Sequence, residues 1–77
     1  MRRKDAEGTE WVLEPGGLTA FAADATRRFL PAPPGYTLSH FGEGITVVGR
    51  GEEPVDGWWD WIFEVEGDAL RRVGPAY

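Results

Sequence analysis

Apolar and polar residues alternate most clearly in Trp58-Trp59-Asp60-Trp61-Ile62-Phe63-Glu64-Val65-Glu66. A two-residue period puts Trp59, Trp61, Phe63 and Val65 on one face of a strand, and Trp58, Asp60, Ile62, Glu64 and Glu66 on the other. The first face is wholly apolar and must be covered; the second is mixed and meets solvent. Further short strands are expected at Thr9–Glu14, Tyr36–Phe41 and Ile45–Arg50, the last two joined through Gly42-Glu43-Gly44. Glu66-Gly67-Asp68-Ala69 turns the long strand back into Leu70–Val73, which Pro75 stops, and Gly51–Gly57 reads as a polar loop.

Leu18–Leu30 carries a different period. Leu18, Phe21, Ala22, Ala25 and Phe29 fall on one stripe of a 3.6-residue repeat, with Arg27 and Arg28 in the last turn and Pro31 beyond it. This predicts an amphipathic helix, although no Ser, Asp or Asn caps its start. The expected fold class is therefore α+β: a two-layer domain in the order β-α-β-β-β-β. Its four- or five-stranded, mostly antiparallel sheet carries the helix on one face. In that arrangement Trp59 and Trp61 lie beneath the helix. A small β-barrel with one short helix is the alternative. Residues 1–8 are charged and lack periodicity, so a flexible N-terminal segment is expected ahead of one domain spanning 9–77.

At 77 residues the chain has room for one domain, with a folded surface of roughly 4,700 Å² by size scaling. A core this small is marginal, and the ten aromatic residues are its main resource. The absence of cysteine excludes a disulfide scaffold and thiolate zinc modules. No apolar run approaches the length of a membrane span, and Asp5-Ala6-Glu7-Gly8 stands where a signal peptide needs apolar residues, so a cytoplasmic location is expected.

Charge changes the picture most between Glu43 and Asp68. That stretch holds eight acids (Glu43, Glu52, Glu53, Asp56, Asp60, Glu64, Glu66, Asp68) and one base, Arg50, in a chain of net charge −5. Such a surface repels phosphate, and the chain has no Asn or Gln to read bases, so nucleic acid is an unsuitable partner.

Catalytic readings find little support. A Ser–His dyad would have to use Ser39 and His40, the only copies of their types, which are adjacent in a predicted strand and so point to opposite faces and cannot share a proton. His40 lacks the companions of a metal site. Gly49-Arg50-Gly51-Glu52-Glu53-Pro54 is not followed by a helix and carries carboxylates that would repel phosphate. Glu64 and Glu66 have the separation of a glycosidase pair but no cleft. The expectation is a non-enzymatic chain that requires no cofactor or metal.

The favoured function is a small acidic protein-binding module of the inhibitor, immunity or regulatory accessory type. It would engage a basic surface of a partner protein through Trp58, Asp60, Ile62, Glu64 and Glu66, with Glu52, Glu53 and Asp56 of the neighbouring loop. Two alternatives stand beside it. One is a small-molecule or carbohydrate binder that stacks its ligand on Trp58. The other is a structural domain that buries Trp58 and Ile62 in a homodimer.

Overall fold

Turn-forming pairs divide the chain into eight strands: β1 (Arg2–Lys4), β2 (Glu10–Glu14), β3 (Gly17–Phe21), β4 (Arg27–Pro31), β5 (Tyr36–Phe41), β6 (Thr46–Val55), β7 (Trp58–Glu66) and β8 (Ala69–Pro75). The structure, a computed structural model, describes residues 1–77. Pro15-Gly16 closes the β2–β3 hairpin as a two-residue loop between the paired Glu14 and Gly17. Asp56 and Gly57 both have positive φ, 50° and 82°, the signature of a type I′ turn between β6 and β7. Between β4 and β5 the Tyr36 N–H donates to Pro33 O at 3.0 Å, with Pro34 and Gly35 (φ 83°) in the central positions of a type II turn.

Every neighbouring pair is antiparallel, and the strands form two separate sheets, β1-β2-β3-β4 and β5-β6-β7-β8. One cluster of eleven buried side chains joins them. Trp11, Leu13, Leu18, Ala20 and Leu30 come from the first sheet, and Leu38, Phe41, Val47, Trp61, Phe63 and Leu70 from the second. Polar ties flank this layer. The Leu38 N–H donates to Pro15 O, Arg3 Nη1 donates to the carbonyls of Gly42 and Gly44, and Arg28 Nη1 donates to that of Gly67. The molecule is elongated, 42 × 21 × 20 Å, and exposes 4938 Å² of surface, somewhat more than size scaling gives.

The expected helix is absent, which overturns both the α+β reading and the barrel-with-helix alternative: this is an all-β domain. Leu18–Leu30 is the β3–β4 hairpin. Its governing period is two, with Leu18, Ala20 and Leu30 inward and Thr19, Phe21 and Phe29 outward. The helical stripe is scattered by this register, leaving Phe21 and Phe29 39% and 57% exposed. The physical reason lies at both ends of the segment. An uncapped helix of about 12 residues is marginal alone. The Pro15-Gly16 turn instead lets β3 pair with β2 at once and brings Leu18 opposite Leu13. The return is made at Ala22–Thr26, where the Asp24 carboxylate accepts the backbone N–H and the hydroxyl of Thr26. Those bonds, the hydroxyl first, lower the Asp24 pKa. Phe29 is not idle on the outer face. It lies over Gly17, where a Cβ would come within 2.5 Å of the ring.

In the charged N-terminal segment, Arg2–Lys4 pairs with β2 as β1. The loop that follows is organised by Asp5. Its Oδ1 accepts the N–H groups of Glu7 and Thr9, and its Oδ2 accepts the indole N–H of Trp11 at 2.9 Å. The strands expected at Tyr36–Phe41 and Trp58–Glu66 have those bounds, while the expected loop 51–57 is mostly strand.

Two outcomes follow. Ala25 sits at φ 72°, where an L-residue is strained and glycine is not, so Ala25→Gly is expected to stabilise the fold by about 0.5–1 kcal/mol. A urea titration showing no gain in midpoint would contradict this. The Trp11 indole, chiefly, and the backbone N–H groups lower the Asp5 pKa against an opposing effect of desolvation. A depressed folded pKa gives stability that is complete above the unfolded value near 3.9 and is lost as pH falls through the folded one. Denaturation curves from pH 7 to pH 2 should therefore show a smaller acid loss for Asp5→Ala than for the parent chain.

Candidate functional site

The β6–β7 hairpin carries every residue that the sequence nominates for binding, and it divides them into two groups. On the outer face of β7, the carboxylates meet cations directly across the ladder. Arg50 is the register partner of Asp60 and lies 3.4 Å from it, and Arg71 is the partner of Glu64 and pairs with both Glu64 and Glu66. The hydrogen bond to Glu64, with the nearby charge of Glu66, holds the Arg71 pKa above its ordinary range. Asp60, Glu64 and Glu66 are thus largely balanced where they stand. Ile62 is half-buried on the same face, opposite Val48.

The second group occupies the hairpin's end. A bulge interrupts the ladder between the Arg50–Asp60 and Val55–Trp58 pairs, so that β6 spends four residues, Gly51 to Pro54, opposite Trp59. Gly51 makes the kink feasible, because a Cβ there would sit 2.9 Å from Glu53 O. The Glu52 N–H is drawn to Gly35 O at 2.9 Å. Glu52, Glu53 and Asp56 are exposed, and none has a cation within ion-pair distance. Beside them a cleft of about 180 Å³ opens between Pro34, Tyr36, Glu52, Glu53 and Val55. It is below the range of small-molecule pockets and suits a single side chain.

Aromatic rings frame this end. Trp58 is 39% exposed and meets Tyr77 edge-to-face at 4.9 Å. Trp59, expected in the core with Trp61, is 42% exposed instead, with the Arg50 guanidinium 5.2 Å from its ring centroid. It faces the bulge of β6 and has no ladder partner there. Trp61 is buried, donates its indole N–H to Trp58 O and carries the Arg72 guanidinium 4.4 Å from its ring centroid. Arg72 also donates to the hydroxyl of Tyr36, whose ring packs edge-on against Phe63.

The geometric objection to a Ser39–His40 dyad is itself corrected. A bulge between Leu38 and His40 brings the two side chains together, with Ser39 Oγ 2.9 Å from His40 Nδ1. The hydroxyl already donates its one proton to Val48 O, so it accepts from the imidazole and is not activated as a nucleophile. No group of three or more His, Asp or Glu side chains is arranged to hold a metal ion.

Three features of the site escape composition-level reading. The neutralisation by Arg71 was available in the turn: closing at Gly67-Asp68 dictates Glu66↔Ala69, Val65↔Leu70 and Glu64↔Arg71 in succession. Asp56-Gly57 is likewise the strongest short hairpin signal in the chain. The contact of Tyr77 with Trp58 has no such local signal. Comparison with family models, with curated proteins and with solved structures finds no match to this chain.

The two neighbouring arginines of β8 should behave differently. Arg71 makes exposed ion pairs, which solvent screens, so Arg71→Ala is expected to leave the unfolding midpoint close to that of the parent chain. Arg72→Ala loses packing over Trp61 together with the Tyr36 bond and should cost about 1–2 kcal/mol. Equal losses in parallel unfolding titrations would contradict this division.

Proposed function

We propose that this chain is a non-enzymatic protein-binding module that engages a basic surface of a partner protein through the end of its β6–β7 hairpin. The observation that carries this reading is the juxtaposition of three unpaired carboxylates, Glu52, Glu53 and Asp56, with exposed Trp58 and Trp59. Unpaired carboxylates steer a cationic surface into encounter, and half-exposed indoles supply the apolar contact that holds it. Asp60, Glu64 and Glu66 contribute less, because Arg50 and Arg71 cancel most of their field. The narrow cleft beside Tyr36, rimmed by Glu52 and Glu53, fits one lysine or arginine side chain of that partner.

The test is affinity capture from native lysate at low salt, with the Glu52→Lys/Glu53→Lys/Asp56→Lys triple variant as control. The reading requires a basic protein captured by the parent chain alone, with association slowed about tenfold or more in the variant at low salt. Equal capture by a triple variant that keeps the parent circular dichroism would overturn it. So would a response of Trp58 to sugars that survives charge reversal, which is the mark of the carbohydrate alternative.

A further inference from the structure

Strand alternation gives the first sheet a second face, turned away from the shared core. Glu10, Phe21 and Arg27 are successive register partners across β2, β3 and β4. Val12, Thr19 and Phe29 form the next row on the same side, and Glu14, Gly17 and Pro31 the row after that. Val12 and Thr19 are half-buried, while Phe21 and Phe29 are 39% and 57% exposed. Phe29 shields Gly17, yet that contact leaves more than half of the side chain in water. A hollow of about 420 Å³ opens on this face, lined by Glu14, Thr19, Phe21, Arg27 and Phe29.

The two charges that line the hollow are of opposite sign and both unanswered. Neither Arg27 nor Glu14 has an opposite charge within ion-pair distance. They stand at diagonal corners of the three rows, two strands and four residues apart. Strand spacing and rise put about 17 Å between their α-carbons, too far for them to pair with each other. At the β1 margin Arg2 pairs with Glu10 at 3.0 Å, and Lys4 is exposed to solvent. An acidic partner would oppose Glu14 and a basic one would oppose Arg27. A surface that answers both must carry the two signs on a matching diagonal around an apolar centre, and this face is itself such a surface.

We infer that the outer face of the first sheet is an isologous interface between two copies of this chain. A two-fold axis lying in the face near Thr19, across the Arg27–Glu14 diagonal, sets each Arg27 against Glu14 of the second copy. The same rotation turns the two Phe29 rings toward each other, and the strands of the two sheets cross steeply, as in orthogonal sheet packing. The face measures about 19 × 17 Å by strand spacing and rise, at the low end of interface sizes, so the dimer is weak, with a Kd on the order of 100 µM. It uses only the first sheet and leaves Glu52, Glu53 and Asp56 free, so it does not depend on the binding role of the β6–β7 hairpin.

The experiment is sedimentation equilibrium of the full chain from about 10 µM to about 1 mM at low salt. It compares the parent, Arg27→Glu, Glu14→Arg, the double variant, and an equimolar mixture of the two single variants. The parent mass should rise with concentration from 8.5 kDa toward twice that value. Each single reversal sets like charges against each other at both contacts and should weaken association about tenfold or more. The double variant should restore association, and so should the mixture, because opposite charges meet again in both. Arg27 and Glu14 are exposed and unpaired, so every variant is expected to keep the parent circular dichroism. The inference is overturned if the parent stays monomeric throughout that range or grows beyond a dimer. It is equally overturned if the single reversals associate like the parent, or if the mixture stays monomeric. Loss of association on reversing Glu52, Glu53 and Asp56 instead would place the contact at the hairpin end and overturn it too.

Discussion

The apolar layer shared by the two sheets is the constraint from which the remaining features follow. Each sheet is a four-stranded meander with one apolar face, and neither face can be left in water. Burying Leu13, Leu18 and Leu30 against Leu38, Val47, Phe63 and Leu70 satisfies both at once, with no helix required. Trp58 and Trp59, at the end of the β6–β7 hairpin, remain exposed.

The same geometry separates the charges. Cross-strand register matches Arg50 to Asp60 and Arg71 to Glu64, which quiets the middle of the second sheet. The bulge at Gly51–Pro54 then carries Glu52 and Glu53 out of the ladder, away from any cation. Arg27 and Arg28 follow the β3–β4 turn toward the opposite end. A chain of net charge −5 thereby acquires an acidic aromatic end.

Much of the second sheet was legible in the sequence because its information is local. The alternation through Trp61 and Phe63 and the glycine turns specify strands without reference to anything distant. The first sheet was harder to read. Leu18–Leu30 satisfies a helical period and a strand period at once, since Leu18 and Phe29 fit one stripe and Leu18, Ala20 and Leu30 fit an inward face. Only the pairing of Leu18 with Leu13, through Pro15-Gly16, decides between them. Trp59 was misplaced at another irregularity: four residues of β6 bulge opposite it, and alternation on one strand does not reveal a bulge in its partner. At Ser39 and His40 a bulge broke the period on which the expectation rested. Composition located the acidic segment, but only register shows which of its carboxylates are neutralised.

The most direct test of the shared layer is a NOESY spectrum of the full chain. Cross-strand α-proton contacts between β3 and β4 should appear, together with contacts from the methyls of Leu13, Leu18 and Leu30 to the side chains of Leu38, Val47, Phe63 and Leu70. Sequential amide contacts of helical type through Leu18–Leu30, with no contacts between the two groups of side chains, would contradict the account at its root.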